Sequence, residues 1–229
     1  MKKMLLVFVV CLFLLSGCIS IEVEGPSAGG VPAASGENTT EVTVDVENDI
    51  AVELKEYVWD GDRYAGAMIR NNSEKQIGEL EIQFLFYDAE GNILGTDSDG
   101  HDAVLSGSTV VSFVSKYDVP QSYDHMDYKL RVDVEANSRY KNHAADVKIE
   151  TNIGEDCVIL QITNNADVDI EELEYAVVFY KDGEIVDMGN GIDVYDIASG
   201  DTVIEEYSSW GVDFDTYEVY INQAHTFGL

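Results

Sequence analysis

Leu80-Glu81-Ile82-Gln83-Phe84-Leu85-Phe86-Tyr87 is the stretch that decides the fold. Leu80, Ile82, Phe84 and Phe86 fall on one face, with Glu79, Glu81, Gln83 and Tyr87 on the other. Successive side chains of a strand point to opposite faces, so this period of two predicts a strand with one face on a core and the other in water. Such half-buried strands belong to antiparallel sheets packed face to face.

The pattern occurs twice. Asn71 to Tyr87 aligns without gaps to Asn164 to Tyr180 at an offset of 93, with Asn-Asn, Ile, Glu-Leu-Glu and Phe-Tyr coincident. In the second copy Leu173, Tyr175, Val177 and Phe179 alternate with Glu172, Glu174 and Tyr180. Leu105-Ser106-Gly107-Ser108-Thr109-Val110 matches Ala198-Ser199-Gly200-Asp201-Thr202-Val203 at the same offset, and Tyr128 to Val134 corresponds to Tyr217 to Gln223. Gly91-Asn92 and Asp182-Gly183 supply the positive-φ positions of hairpin turns. Further strands are expected at Ile50–Trp59, Arg63–Asn71, Ile93–Thr96, Thr109–Lys116 and Asp127–Ala136, then at Ala144–Thr151, Asp156–Thr163, Glu184–Met188, Thr202–Tyr207 and Thr216–Gln223. Short strands with frequent turn residues and no long helical period predict an all-β chain of two tandem immunoglobulin-like antiparallel β-sandwich domains, over 49–138 and 143–229.

Phe84-Leu85-Phe86-Tyr87-Asp88, ahead of a glycine-containing turn and behind an asparagine-rich one, resembles the FxLYD domain of exported prokaryotic proteins. Phe86 stands where that family has Leu. The second copy departs further, with Val177 for Phe, Phe179 for Leu and Lys181 for Asp, keeping only Tyr180. The resemblance implies an immunoglobulin-like fold and assigns no catalytic residue, because the motif is built from core side chains.

The N-terminus gives an address. Lys2-Lys3 precedes the apolar run Leu5 to Leu15, which at 11 residues suits a signal-peptide core better than a span of about 20 residues. Leu15-Ser16-Gly17-Cys18 resembles the lipobox of prokaryotic lipoproteins, which implies cleavage after a signal peptide at 1–17 and a covalent lipid on Cys18. Two acyl chains suffice for stable anchoring. Residues 18–48, rich in Gly, Pro, Ser and acids, read as a flexible acidic tether with a reach of roughly 30 Å. The expected location is the extracytoplasmic face of a cell membrane, facing the cell surface or a periplasm.

The 229 residues carry 13 Lys and Arg against 44 Asp and Glu, a formal charge of −31. That imbalance repels polyanions, so no nucleic-acid partner is expected. Cys157 is the single cysteine after Cys18, which leaves no intramolecular disulfide, and its apolar neighbours predict a buried small hydrophobe. His101, His125, His143 and His225 share no metal-ligand spacing, and no nucleophile-elbow, Walker or Rossmann pattern occurs.

Asp97-Ser98-Asp99-Gly100-His101-Asp102 gathers hard oxygen ligands in an expected loop, so Asp97, Asp99 and Asp102 are candidate Ca2+ ligands, although the order is not that of an EF-hand. Asp60-Gly61-Asp62 reads as a hairpin turn, and Trp59 as a core residue. Tyr123 and Trp210 are the candidate exposed aromatics for binding. The expected function is a non-catalytic binding or scaffolding module of the cell envelope, held to the membrane by its lipid and contacting a protein or a cell-wall or surface glycan. The alternatives are a Ca2+-dependent adhesion module, an enzyme with a site assembled between the two domains, and an envelope assembly factor.

Overall fold

The computed structural model describes residues 45–134, 140–154, 157–189, 192–209 and 211–227. The signal segment, Cys18, the tether up to residue 44, and Trp210 lie outside the described residues. One helical turn, α1 (Val46–Asp49), leads into the first strand.

The N-terminal half is built of β1 (Ile50–Trp59), β2 (Asp62–Asn71), β3 (Ile77–Tyr87), β4 (Ile93–Val104), β5 (Thr109–Phe113) and β6 (His125–Asp133). They form two antiparallel three-stranded sheets, ordered β1-β2-β5 and β4-β3-β6. The C-terminal half adds β7 (Tyr140–Asn142), β8 (Val147–Ile153), β9 (Cys157–Asn164), β10 (Ile170–Lys181), β11 (Glu184–Met188), β12 (Ile192–Ile197), β13 (Thr202–Ser208) and β14 (Thr216–Phe227). Its sheets are β13-β9-β8 and β11-β10-β14-β7, with β12 also paired to β10. Each half is therefore a β-sandwich, and the two repeat one strand order.

Alternation places the cores where the sequence puts them. Leu80, Ile82, Phe84 and Phe86 are fully buried in one core, and Leu173, Tyr175, Val177 and Phe179 in the other. The turns follow the same chemistry. Asp60 (φ 51°) and Gly61 (φ 87°), like Asp182 (φ 52°) and Gly183 (φ 84°), take the two left-handed positions of tight hairpins. At the β3–β4 turn only Gly91 is left-handed, because the Asp88 carboxylate instead organises the loop by accepting from the backbone N–H groups of Glu90 and Asn92.

One buried asparagine closes each sandwich. The Asn71 amide donates to the carbonyls of Lys75 (2.8 Å) and Val104 (3.1 Å) and accepts from Ser73 N–H (3.0 Å). Asn164 donates to the carbonyls of Val168 (2.9 Å) and Ile197 (2.9 Å) and accepts from Ala166 N–H (2.9 Å). Every partner in the second set stands 93 places after its counterpart. A side chain that satisfies several backbone groups at once fixes the loop after its own strand to the strand end at Val104 or Ile197, because buried polar groups require partners.

Several elements differ from expectation: α1, β7 and β12 have no counterpart among the expected elements, and β14 runs on from Gln223 to Phe227. β4 runs to Val104 instead of stopping at Thr96, because it pairs with β3 along nearly its whole length. Ala144–Asp146 forms a 3-10 turn ahead of β8 instead of its first residues. β5 ends at Phe113, after which the chain turns across the mouth of the junction described next.

The sandwiches pack against each other. Val111, Ala176, Val178 and Met188 are buried in a third apolar cluster, with Tyr57, Phe113, Tyr180, Ile185 and Tyr220 around it. It joins the outer face of β1-β2-β5 to that of β11-β10-β14. Gly66 permits the approach, since a Cβ there would lie 2.6 Å from the Ser112 carbonyl and 3.3 Å from the Met188 methyl. Asn222, 1% exposed, ties β14 to the free edge of β5: it accepts from Val111 N–H (2.8 Å) and donates to the Val111 carbonyl (3.0 Å) and to Glu174 (2.8 Å). Asn142 donates to the Ala103 carbonyl (3.0 Å) farther along the same seam.

Candidate functional site

Asp97, Asp99 and Asp102 do not share a loop. They lie in β4, opposite Phe84, Ile82 and Glu79 respectively, so Asp97 and Asp99 project from one face and Asp102 from the other. The first two lean across the open side of the sandwich: Asp97 accepts from Ser115 N–H (3.3 Å) and Asp99 from Phe113 N–H (3.3 Å). His101, buried on the same face, bonds the Ser112 hydroxyl at 2.7 Å. These three side chains thus tie the β4 edge to β5 in the opposing sheet and to the segment just after it. Burial pushes the His101 imidazole down, with Asp99 and Asp102 acting against it. Among the described residues, no three or more His, Cys, Asp or Glu side chains are grouped as metal ligands.

Tyr123 is not an exposed binding residue. It is 3% exposed, its ring meets Phe86 edge-on at 5.0 Å, and the Arg63 guanidinium lies 3.5 Å above it. The chain folds back after β5 to roof the core, and Tyr123 is the roof. Cys157 is half-buried, at the start of β9. Trp59, expected in the core, is instead 36% exposed, because the strand overshoots the core at its C-terminal end.

Two hollows among the described residues bear on function. One, of about 400 Å3, lies on the solvent side of β4-β3-β6, where Gly100 leaves a gap among Glu79, Glu81, Asp102, Asp133 and Arg131. Arg131 pairs with Glu81 at 3.4 Å. This acidic hollow is a charged sheet face with a missing side chain.

The other, of about 370 Å3, opens between the sandwiches. The N-terminal sandwich contributes Tyr57 and Trp59 from β1, Tyr64 from β2, Phe113 from β5, and Lys116 and Tyr117 from the following loop. The C-terminal sandwich contributes Asp187 and Met188 from β11 and Tyr207 from β13. Tyr57 and Tyr64 are cross-strand partners whose rings stack at 5.0 Å and 12°. Trp59 meets Tyr64 at 6.1 Å and 53°, forming an angled aromatic corner. Tyr117, 87% exposed, stands on the rim with the Lys116 ammonium 5.3 Å from its ring centre.

Asp187 sits in this aromatic surround. The Tyr57 hydroxyl donates to it (3.3 Å) and to the Met188 carbonyl (3.4 Å). Burial pushes the Asp187 carboxyl above the ordinary range, partly offset by the Tyr57 hydrogen bond. Burial likewise raises the Tyr57 and Tyr207 hydroxyls, with the Asp187 charge adding to it, so both stay neutral donors. Among the described residues, Asp187 takes part in no ion pair. Concave, aromatic-rich surfaces at a domain junction with a few polar groups and a perturbed carboxyl are the usual form of a ligand site, and this volume falls in the range of about 300–1,000 Å3. Sequence reasoning missed Tyr57, Tyr64 and Asp187, because each belongs to a different strand and only the packing of the two sandwiches unites them.

No family model matches the chain, and no curated protein matches it. Among solved structures it is similar to the YadV chaperone, at 12% identity over 79% of this chain and 95% of that one, with a TM-score of 0.25.

Proposed function

We propose that the protein is a lipid-anchored, non-catalytic binding module of a prokaryotic cell envelope, and that its ligand enters the aromatic cleft between the two sandwiches. The observation that carries this is the cleft itself: Tyr57, Trp59, Tyr64 and Tyr117 line it with Asp187, which takes part in no ion pair among the described residues. Trp and Tyr give large contact area at low entropy cost and are enriched where ligands bind. The lipobox-like Leu15-Ser16-Gly17-Cys18 and the acidic composition of the stretch after it support a location on the outer face of a membrane, and the motif Phe84-Leu85-Phe86-Tyr87-Asp88 resembles that of FxLYD domains.

The raised Asp187 carboxyl in a concave junction also favours the alternative of an enzyme assembled between the sandwiches. Proton-transfer catalysis there needs a second acid, base or nucleophile within reach. Beside Asp187 the described lining offers Ser115, Lys116 and the Tyr57 and Tyr207 hydroxyls, which burial keeps neutral, with no histidine and no second carboxylate, so binding accounts for more of the geometry.

The chain has two tryptophans, hence two indole N–H resonances, assignable with Trp59→Phe. Titrating the maltoside-solubilised protein with neutral sugars, organic cations and short peptides should move the Trp59 resonance for one of these classes and leave Trp210 in place. A Trp59 resonance unmoved by every class refutes the cleft as a ligand site.

A further inference from the structure

We infer that the cleft between the sandwiches is selective for a compact organic cation, such as a quaternary ammonium or a protonated amine on a small apolar body. This rests on the cleft being the ligand site and adds the ligand's charge.

Three independent observations converge. A carboxylate taken out of water is normally paired with a cation or a metal. The Asp187 carboxyl is met in the cleft by the Tyr57 hydroxyl at 3.3 Å and by the backbone of Met188, with no cationic side chain paired to it among the described residues. A bound cation would supply that partner. The second is the aromatic geometry: Trp59 and Tyr64 are tilted at 53°, Tyr64 stacks on Tyr57, whose hydroxyl bonds Asp187, and all four line one hollow, so ring faces that attract positive charge through their quadrupoles share the cleft with an anion. The Lys116 ammonium already lies 5.3 Å from the Tyr117 ring at the rim, so the protein's own cation takes an aromatic face while leaving Asp187 free. Third, the chain carries −31, which draws cations toward the surface and repels anionic ligands.

Neutral ligands with apolar faces would use the rings but not the carboxylate. That difference gives the test. Choline and its neutral carbon isostere 3,3-dimethylbutan-1-ol have nearly the same shape, and each is titrated into the maltoside-solubilised full chain near pH 7.5, following the Trp59 indole resonance. The proposal predicts saturable choline binding at least about tenfold tighter than that of the isostere. In Asp187→Asn, which keeps the acceptor for Tyr57 and removes the charge, the two ligands should bind within about twofold of each other. Choline affinity in the wild type should also fall as pH drops through the raised pKa of Asp187, since protonation removes the counter-charge.

Equal affinity for both ligands in the wild type would overturn the cation assignment while leaving the cleft as a site for neutral apolar ligands. Binding of neither would overturn the cation assignment and, if the other classes also fail, the cleft reading too. Preference for choline that survives Asp187→Asn unchanged would refute the role given to the carboxylate. A cooperative melting transition at or above the wild-type Tm in Asp187→Asn separates lost binding from lost fold.

Discussion

Replacing Asn222 by Ala is the substitution that most sharply tests how the sandwiches are joined. The side chain is 1% exposed and satisfies Val111 N–H, the Val111 carbonyl and Glu174 together. Ala fills none of these roles and leaves a gap too enclosed for ready hydration. A buried donor or acceptor without a partner costs about 1–3 kcal/mol, so the two Val111 groups alone set the loss at about 2–6 kcal/mol. Glu174, whose carboxyl burial already pushes up against the offsetting Asn222 bond, adds to that unless it swings to solvent. Allowing for relaxation, about 3 kcal/mol is expected. In a protein of this size each kcal/mol moves Tm by roughly 2–4 °C, which gives a fall of about 6–12 °C. Calorimetry reads this directly, and a broadened or split transition would show the sandwiches melting apart. Asn222→Asp keeps one acceptor but sets a carboxylate against the Val111 carbonyl and Glu174, so it should cost at least as much. A Tm change under about 2 °C for Asn222→Ala would refute the argument.

Phe86→Ala and Phe179→Ala each empty a fully buried site and should cost about 3–5 kcal/mol by chemical denaturation, with a loss near zero showing the wrong face inside. Asp187 has a carboxyl raised by burial, so folding favours its protonated form: the stability it contributes is fully present below the ordinary carboxylate pKa and is lost as pH rises through the raised value. Asp187→Asn should therefore raise Tm at about pH 7.5, and the gain should vanish by about pH 4; a gain independent of pH would contradict the assignment. Cys18→Ser should move the protein from the membrane fraction to the soluble or secreted fraction, and persistence in the membrane would refute the lipid anchor.

Much of the fold was legible because one physical rule, alternation about a half-buried sheet, acts locally. Leu80 to Phe86 and Leu173 to Phe179 announce their buried faces without reference to the rest of the chain, and Asp60-Gly61 and Asp182-Gly183 announce their turns. The junction was written more faintly. Tyr175-Ala176-Val177-Val178-Phe179 abandons strict alternation where Ile82-Gln83 keeps it, and a strand apolar on both faces is covered on both. Ala176 and Val178 are buried against the other sandwich, so that lapse was the signal of the contact. Asp97 and Asp99 misled for the opposite reason: acids beside a glycine read as a loop, yet they accept from backbone groups at the end of β5 and just after it, across the sandwich. Tyr123 likewise follows Pro120-Gln121-Ser122, a turn-rich run, and only the return of the chain over Phe86 buries it. The cleft was illegible, since no spacing links Tyr57, Tyr64 and Asp187.

Amide hydrogen exchange at Val111 tests most directly whether the two sandwiches form the one body on which the cleft depends. Its N–H points away from β2, and its acceptor is the Asn222 side chain of the other sandwich. Protection matching that of Ile82 and Val177 in the two cores is the predicted result. Exchange at the rate of a solvent-facing edge amide, with Ile82 and Val177 still protected, would mean that the sandwiches move independently and that the cleft is not a fixed site.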